Sequence, residues 1–168
     1  MKIVEDAVME IRLLRHDEVE KLVRARLDFF RIFFPEWTAE APESEKTQMA
    51  DNLRAYYNER LGNGIEAAAA LENGRIVSAA ILTVSRKSPT PSAPLGYTGE
   101  LANVLTYPEY QRRGLASGVL KLLLEKAADL GLERIDLQAS REGEGLYKKL
   151  GFTAYEGHLP MRLFLNKG

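Results

Sequence analysis

The sequence of 168 residues contains no cysteine and only two histidines, His16 and His158. The absence of cysteine excludes disulfide bonds, thiolate nucleophiles, cysteine-ligated zinc and iron–sulfur clusters. Neither histidine has a cluster of other metal-binding residue types beside it in the sequence. We therefore expect both histidines to be surface residues and the protein to bind no metal.

The sequence also lacks a charge excess and a long apolar run. Lysine and arginine number 23 and aspartate and glutamate 24, for a net charge of −1, whereas a protein that neutralises nucleic-acid phosphates needs a basic excess. No uncharged apolar run approaches the ~20 residues that span a bilayer, and the N-terminal segment has no signal-peptide core. We expect a single domain over residues 1–168, located in the cytoplasm, with neither nucleic acid nor membrane as a partner.

The spacing of hydrophobic residues predicts a mixed α/β fold. Asp17 is a candidate N-cap for the first helix, and Asn73-Gly74 between two apolar runs is the strongest short signal for a hairpin. The four alanines at 67–70 also suit a helix by propensity. A helix there would, however, leave the Asn73-Gly74 hairpin turn without its first strand. The Pro- and Ser-rich segment 87–97 is predicted to be a surface loop. The predicted helices cover about 17–34, 49–61, 114–130 and 143–150, and the predicted strands cover 9–14, 65–72, 75–85, 100–106, 134–140, 152–157 and 161–165.

One helix start has the features of an anion site. Gly114 lets a ligand approach the backbone, and Ala116 keeps that approach open. The amides from Arg112 to Ser117 have no partner within the helix, and Arg112 and Arg113 add positive charge. The pattern predicts a phosphate site, although an ordinary helix start beside two solvated arginines fits the same residues. Neither the G-x-x-x-x-G-K-[ST] nor the G-x-G-x-x-G phosphate-binding motif is present.

Two motifs in this half of the chain resemble those of the GNAT N-acetyltransferase superfamily. The run Gln111-Arg112-Arg113-Gly114-Leu115-Ala116 resembles its Q/R-x-x-G-x-G/A signature, and residues 146–152, LYKKLGF, resemble its L-Y-x-K-x-G-F block. Their order and spacing agree with the family, and the resemblance is specific from about Glu100 to Phe152. It implies a mixed, mostly antiparallel central sheet flanked by about four helices, with a splayed pair of parallel strands.

The resemblance also implies acetyl-CoA as a cosubstrate. In such proteins the strand at 101–106 pairs with the pantetheine arm, and the loop at 112–117 holds the pyrophosphate. Many relatives carry asparagine where this chain has Ser140, whose hydroxyl either contacts the pantetheine or caps a helix. The residues implied to bind the coenzyme are Val104, Leu105, Thr106, Gln111, Arg112, Arg113, Gly114, Leu115, Ala116, Ser117, Ser140 and Tyr147.

By the same resemblance, Glu100 is the candidate general base and Tyr147 the candidate general acid. The alternative for Glu100 is a strand-end carboxylate that only pairs with a nearby arginine. The alternative for Tyr147 is a ring that only packs in the core. Because no cysteine is available to carry an acyl group, we expect direct attack of a primary amine on acetyl-CoA in a ternary complex. The rival function is a non-catalytic acyl-CoA-binding module that regulates or scaffolds a partner, but the presence of both Glu100 and Tyr147 favours the enzyme.

The resemblance places the acceptor, a small-molecule or peptide amine, beside the first two helices, with the Pro-rich loop as a candidate lid. The aromatic residues there suit a pocket or the core, and Asp28 and Glu36 either attract a cationic amine or are only solvated. The sequence does not specify which amine or acyl chain is used. A homodimer is compatible with the family, but no residue indicates one. The aromatic residues concerned are Phe29, Phe30, Phe33, Trp37, Tyr56 and Tyr57.

Overall fold

The structure, a computed structural model, describes residues 8–157 and 159–165, which form two compact units. The first unit extends to Gln138 and the second begins at Ala139. Single-turn 3-10 helices lie at His16–Glu18 and Pro108–Tyr110. The first unit contains β1 (Met9–Leu13), α1 (Val19–Phe33), α2 (Pro35–Glu40), α3 (Glu43–Arg60), β2 (Ile65–Glu72), β3 (Arg75–Arg86), β4 (Tyr97–Thr106), α4 (Leu115–Asp129) and β5 (Arg134–Leu137), and the second contains α5 (Glu144–Lys149).

The five strands form one sheet in the order β1-β2-β3-β4-β5. The first four are antiparallel to their neighbours, whereas β4 and β5 are parallel. Asn73 and Gly74 join β2 to β3 with φ of 50° and 78°, as a type I′ hairpin turn requires. The predicted mixed, mostly antiparallel sheet with one parallel pair is therefore confirmed.

Helices cover both faces of this sheet. Residues of α1 and α3, among them Leu22 and Tyr57, pack in one core cluster with Ala67 and Ala69 of β2. The opposite face is covered by α4, which contacts β2 and β3. Because both faces are buried, the alanines at 67–70 are at most 1% exposed, and they form a strand as predicted. Their small side chains let the helical layers approach the sheet closely.

The prediction of two C-terminal strands is wrong. The described stretches 152–157 and 159–165 contain no strand. A strand is stable only as part of a hydrogen-bonded ladder, so an alternating pattern without a paired neighbour does not produce one. Leu163 and Phe164 accordingly remain 80% and 65% exposed.

The start of the first helix and the segment after it also differ from the prediction. Asp17 lies in a 3-10 turn and is not the N-cap, because α1 begins at Val19. Pro35 ends the first helix, as expected, but it also occupies the first turn of α2. Proline is favoured at that position, since its missing N–H would have no helical partner and its φ is already helical. The polar segment that follows contains the start of α3 at Glu43 and is largely helical.

A buried carboxylate joins β1 to the start of α1. Glu18 is 4% exposed and accepts hydrogen bonds from both terminal nitrogens of Arg12, at 2.7 and 2.9 Å, from Lys21 Nζ at 3.1 Å and from the Arg15 amide at 3.1 Å. The Arg12 hydrogen bonds, with help from the other two donors, hold the pKa of Glu18 well below its usual range. The ionised form of Glu18 is therefore part of the folded structure.

We expect Glu18→Gln to lower the free energy of unfolding by about 2 kcal/mol at pH 7, because Arg12 loses its buried partner. Since the pKa of Glu18 is lower in the folded state than the value of about 4.3 in an unfolded chain, this contribution is present above that value and is lost as the pH falls below it. Urea unfolding at pH 7 and pH 3 measures the difference. The control is Glu20→Gln, at an exposed ion pair with Arg54, which should hardly change the midpoint. Equal losses from both variants would contradict the assignment.

Candidate active site

The candidate site begins where β4 and β5 separate. The two strands pair only from Thr98 to Leu101 on β4 and from Arg134 to Leu137 on β5. From Ala102 to its end at Thr106, β4 has no strand on its β5 side within the described residues. The parallel pair predicted from the sequence is present, and β4 has no strand partner on this side beside Val104, Leu105 and Thr106 within the described residues.

A β-bulge bends β4 at the same point. The register with β3 shifts between Ala79 and Ile81, which face Leu105 and Ala102, so β4 has one extra residue in this interval. Asn103 within the bulge has a φ of 56°, in the left-handed region where asparagine is among the few tolerated side chains. Ser78 on β3 donates a hydrogen bond to the Leu105 carbonyl at 2.9 Å and fixes the strand beyond the bulge.

The start of α4 presents unpaired backbone donors. Within the described residues, none of the amides from Arg112 to Ser117 donates a hydrogen bond to another protein group, and the first bond of the helix runs from the Gly118 amide to the Gly114 carbonyl at 3.0 Å. No side chain caps this end of the helix. Unpaired amides and the positive end of a helix dipole are the elements from which anion sites are built.

The surroundings of these amides are open and positively charged. Residues 111–114 are exposed. Gly114 has a φ of 74°, and a side chain at this position would meet nothing within 4 Å. Arg113 lies over the Tyr110 ring at 5.1 Å, and Gln111 Nε2 reaches the Thr106 carbonyl at 3.4 Å. The loop is therefore tied to the end of β4 while its amides face solvent.

Glu100 lies on β4 just before the point of separation. It faces Thr83 on β3 and Asp136 on β5, so its side chain shares the sheet face of Thr83 and Ile81. Among the described residues, no ion pair or hydrogen bond involves the exposed Glu100 carboxylate, whereas Asp136 is bound to Arg134 at 3.1 Å. The alternative in which Glu100 merely pairs with an arginine is thus not what the structure contains.

The second compact unit contains Ser140 and Tyr147. The Ser140 hydroxyl accepts the Gly143 amide at 3.1 Å in the turn that precedes α5, while no side chain caps α5 itself. The Tyr147 ring is partly buried and lies edge-on to Phe152, with centroids 6.1 Å apart. Burial raises the pKa of the Tyr147 phenol above its ordinary value.

A narrow cleft lies on the sheet face covered by α1 and α3. Its walls are mainly apolar, and it ends at the bulge of β4. Phe29 and Tyr57, two of the aromatic residues considered for the acceptor pocket, line it, whereas Phe33 is 54% exposed. Asp28 is already engaged, since it accepts the Tyr107 hydroxyl at 2.6 Å and pairs with Arg31 at 3.0 Å. The lining residues are Leu22, Ala25, Arg26, Phe29, Tyr57, Ala79, Ile81, Asn103 and Leu105.

Sequence reasoning missed Arg26 and Asn103 in this cleft. Arg26 Nη1 is buried, and it has no hydrogen-bond partner among the described residues. Burial lowers the pKa of the Arg26 guanidinium, and its central carbon lies 4.5 Å from the ring centres of both Phe29 and Phe30. Arg26 is four residues after Leu22 and four before Phe30, so its position within the apolar stripe of α1 was a visible signal.

The described part of the chain contains neither a metal-binding cluster nor a membrane-spanning helix. No group of three or more histidine, cysteine, aspartate or glutamate residues there could hold a metal ion. No helix in this part is long and apolar enough to cross a membrane. His16 is exposed, with Nε2 2.7 Å from the Asn58 carbonyl, and His158 lies outside the described residues.

Known proteins similar to this chain are acetyltransferases by name. The chain is 29% identical over 90 residues to a glucosamine 6-phosphate N-acetyltransferase of Trypanosoma brucei brucei, a match that spans 54% of this chain and 59% of that relative's length. A solved structure of a predicted acetyltransferase with acetyl-CoA from Clostridium acetobutylicum superimposes with a TM-score of 0.76 at 27% identity, covering 92% of this chain and 96% of the other. A GCN5-related N-acetyltransferase from Ralstonia eutropha gives 0.71 at 25% identity, covering 92% and 99%.

The family comparison covers more of the sequence than the curated relative does. The model of the acetyltransferase (GNAT) family matches residues 26–152, which is more than half of the chain and includes both motifs at 111–116 and 146–152. The match agrees with the parallel pair of β4 and β5 and with the unpaired amides at the start of α4. The chain therefore belongs to the acetyltransferase (GNAT) family.

Proposed function

We propose that this protein is an N-acetyltransferase that transfers the acetyl group of acetyl-CoA to a primary amine by direct attack in a ternary complex. The observation that carries the proposal is the row of unpaired amides from Arg112 to Ser117, which follows directly on the open end of β4. An anion site and an open strand edge, adjacent in one compact unit, suit a ligand with a diphosphate at one end and amide groups along its arm.

The residues at this corner fit the coenzyme. The amides from Arg112 to Ser117 would bind the diphosphate, and the exposed Arg112 and Arg113 side chains would neutralise its charge. Gly114 leaves the approach open because no Cβ occupies it. The edge of β4 from Val104 to Thr106, which has no strand partner on the β5 side in the described residues, would hydrogen-bond the pantetheine arm. Gln111, Leu115 and Ala116 complete the proposed binding loop.

An amide of β4 near Val104 or Leu105 is the proposed donor to the thioester carbonyl. Acetyl-CoA supplies an acyl group on a thiol leaving group, and charge grows on the carbonyl oxygen when an amine attacks it. One fixed donor at such an oxygen lowers the barrier by roughly 3 kcal/mol. The bulge at Asn103 and the Ser78 hydrogen bond to Leu105 hold this part of the strand in place.

Glu100 is the proposed base that takes a proton from the attacking amine, either directly or through a water molecule. Its exposed carboxylate lies on the sheet face that carries the cleft, and the bulge begins two residues further along β4. Tyr147 is the proposed acid that protonates the departing thiolate, a role carried over from the LYKKLGF motif. A neutral phenol carries the proton that this role requires.

We expect Glu100→Gln to lower kcat about 10-fold and to alter the pH–rate profile, since the amide cannot accept the proton and a water relay replaces it only in part. Asp136→Asn is the matched control. It removes the neighbouring carboxylate, which is already paired with Arg134, and should leave the profile unchanged. An unchanged profile in Glu100→Gln would show that the base lies elsewhere.

The experiment that tests the function is release of free CoA from acetyl-CoA in the presence of an amine panel. The panel includes glucosamine 6-phosphate, named for the Trypanosoma brucei brucei relative, together with amino acids, polyamines and an amino-terminal peptide. We expect amine-dependent CoA release with at least one member and an acetylated product by mass spectrometry. Tight coenzyme binding without turnover on any amine would instead support the non-catalytic acyl-CoA-binding module.

A further inference from the structure

The cleft between α1 and the sheet contains a cation without a counter-ion. The Arg26 guanidinium lies beside the Phe29 and Phe30 rings, each 4.5 Å from its central carbon. These rings interact with its positive charge but accept no conventional hydrogen bond from its N–H groups. Nη1 is fully buried, and it has no partner within the described residues. A buried donor of this kind is unfavourable unless another molecule supplies the acceptor.

The acidic groups nearest in the sequence of α1 are engaged elsewhere. Glu18 binds Arg12 and Lys21, Glu20 binds Arg54, and Asp28 binds Tyr107 and Arg31. No ion pair with Arg26 is formed in the described part of the chain. An acceptor for the free N–H must therefore come from outside these residues.

The cleft connects Arg26 to the proposed point of transfer. Its walls include Ile81 and Leu105 on the sheet and end at Asn103 in the bulge of β4, next to the proposed carbonyl-binding amides. Glu100 faces Thr83 across the ladder between β3 and β4. Thr83 and Ile81 are two residues apart and so share one face of β3, which places Glu100 on the face that carries the cleft. Arg26 and the bulge of β4 therefore line one and the same cleft.

We propose that Arg26 binds an anionic group, a carboxylate or a phosphate, on the acceptor amine and thereby directs the amine towards β4. The planar guanidinium suits the oxygens of either group, and the apolar walls strengthen the charge interaction by excluding water. This inference rests on the proposed N-acetyltransferase activity and specifies the substrate class that the activity uses.

The test compares matched amines with the full-length protein. In the first set of pairs, each of several α-amino acids is compared with its primary amide. In the second, O-phosphoethanolamine is compared with ethanolamine. We expect kcat/KM for CoA release to be about 30-fold higher with the anionic member of at least one pair, a factor typical of a charge-assisted hydrogen bond. The pair that shows the preference identifies the anion as carboxylate or phosphate.

Substitutions connect the preference to this side chain. Arg26→Met keeps the length and the apolar stem, and it should abolish the preference, whereas Arg26→Lys should retain part of it. Arg24→Met, at an exposed position on the same helix, should leave it unchanged. Thermal unfolding of each variant verifies the fold. A preference that survives in Arg26→Met, or a wild-type preference for the neutral amines, would overturn the proposal.

Calorimetry separates this inference from the proposed function. Each amine is titrated into the protein saturated with CoA, which binds without reacting. Anion-dependent binding that Arg26→Met removes supports the role of Arg26 even if acetyl-CoA is not turned over, in which case the N-acetyltransferase activity is what fails. Turnover or binding that does not distinguish the anionic amines from the neutral ones overturns the role of Arg26 and leaves the activity standing.

Discussion

The Gly114→Glu variant should bind CoA at least about 100-fold more weakly than the wild type and still fold, which corresponds to a loss of about 2.7 kcal/mol. Gly114 is the N-cap of α4, among amides that have no protein partner in the described residues. A glutamate there would place a negative charge and four heavy atoms beyond Cβ in the open space proposed for the diphosphate. Isothermal titration calorimetry with CoA measures the effect.

The matched control is Gly131→Glu at the opposite end of α4. Gly131 has a φ of 72°, close to the 74° of Gly114, and a Cβ there also meets nothing within 4 Å. Both variants therefore carry the same charge and a similar backbone penalty of roughly 1–2 kcal/mol for a left-handed residue. CoA affinity should be unchanged in Gly131→Glu. Undiminished affinity in Gly114→Glu would refute the anion site.

Tyr147→Phe should lower kcat by about 100-fold while CoA affinity changes less than about threefold, because general acid catalysis contributes on that scale. The substitution keeps the ring that packs against Phe152 and removes only the hydroxyl. Steady-state kinetics with the best amine of the panel, combined with CoA binding by calorimetry, separates the two parameters. An unchanged kcat would exclude Tyr147 as the acid, and an equal loss of CoA affinity would indicate a binding role instead.

The parts of the fold that local chemistry determines were predictable from the sequence. The Asn73-Gly74 pair fixes a hairpin because both residues tolerate positive φ, and Gly131, with a φ of 72°, follows the end of α4, where a left-handed glycine is common. The strands at 152–157 and 161–165 were predicted from alternation alone and do not form, since pairing depends on a neighbouring strand that alternation does not reveal. Asp17 resembled an N-cap, but the buried Glu18 network places the helix start two residues later.

In the candidate site, too, the features set by local sequence were predictable and those set by pairing between distant segments were not. The unpaired amides at residues 112–117 were predictable, because the first amides of a helix have no acceptor within it. The bulge at Asn103 was not, because it results from a one-residue mismatch between β3 and β4 that no local pattern contains. The missing counter-ion of Arg26 depends on which acids already have partners, which only the folded chain determines.

Backbone amide NMR spectra of the isotopically labelled protein test the diphosphate site most directly. Titrations with CoA and with pantetheine, which lacks the diphosphate, should differ at defined positions. We expect CoA to shift the amides from Arg112 to Ser117 strongly, and pantetheine to leave them nearly unmoved and to bind far more weakly. Shifts that bypass these amides, or equal affinities for CoA and pantetheine, would contradict the proposed coenzyme site.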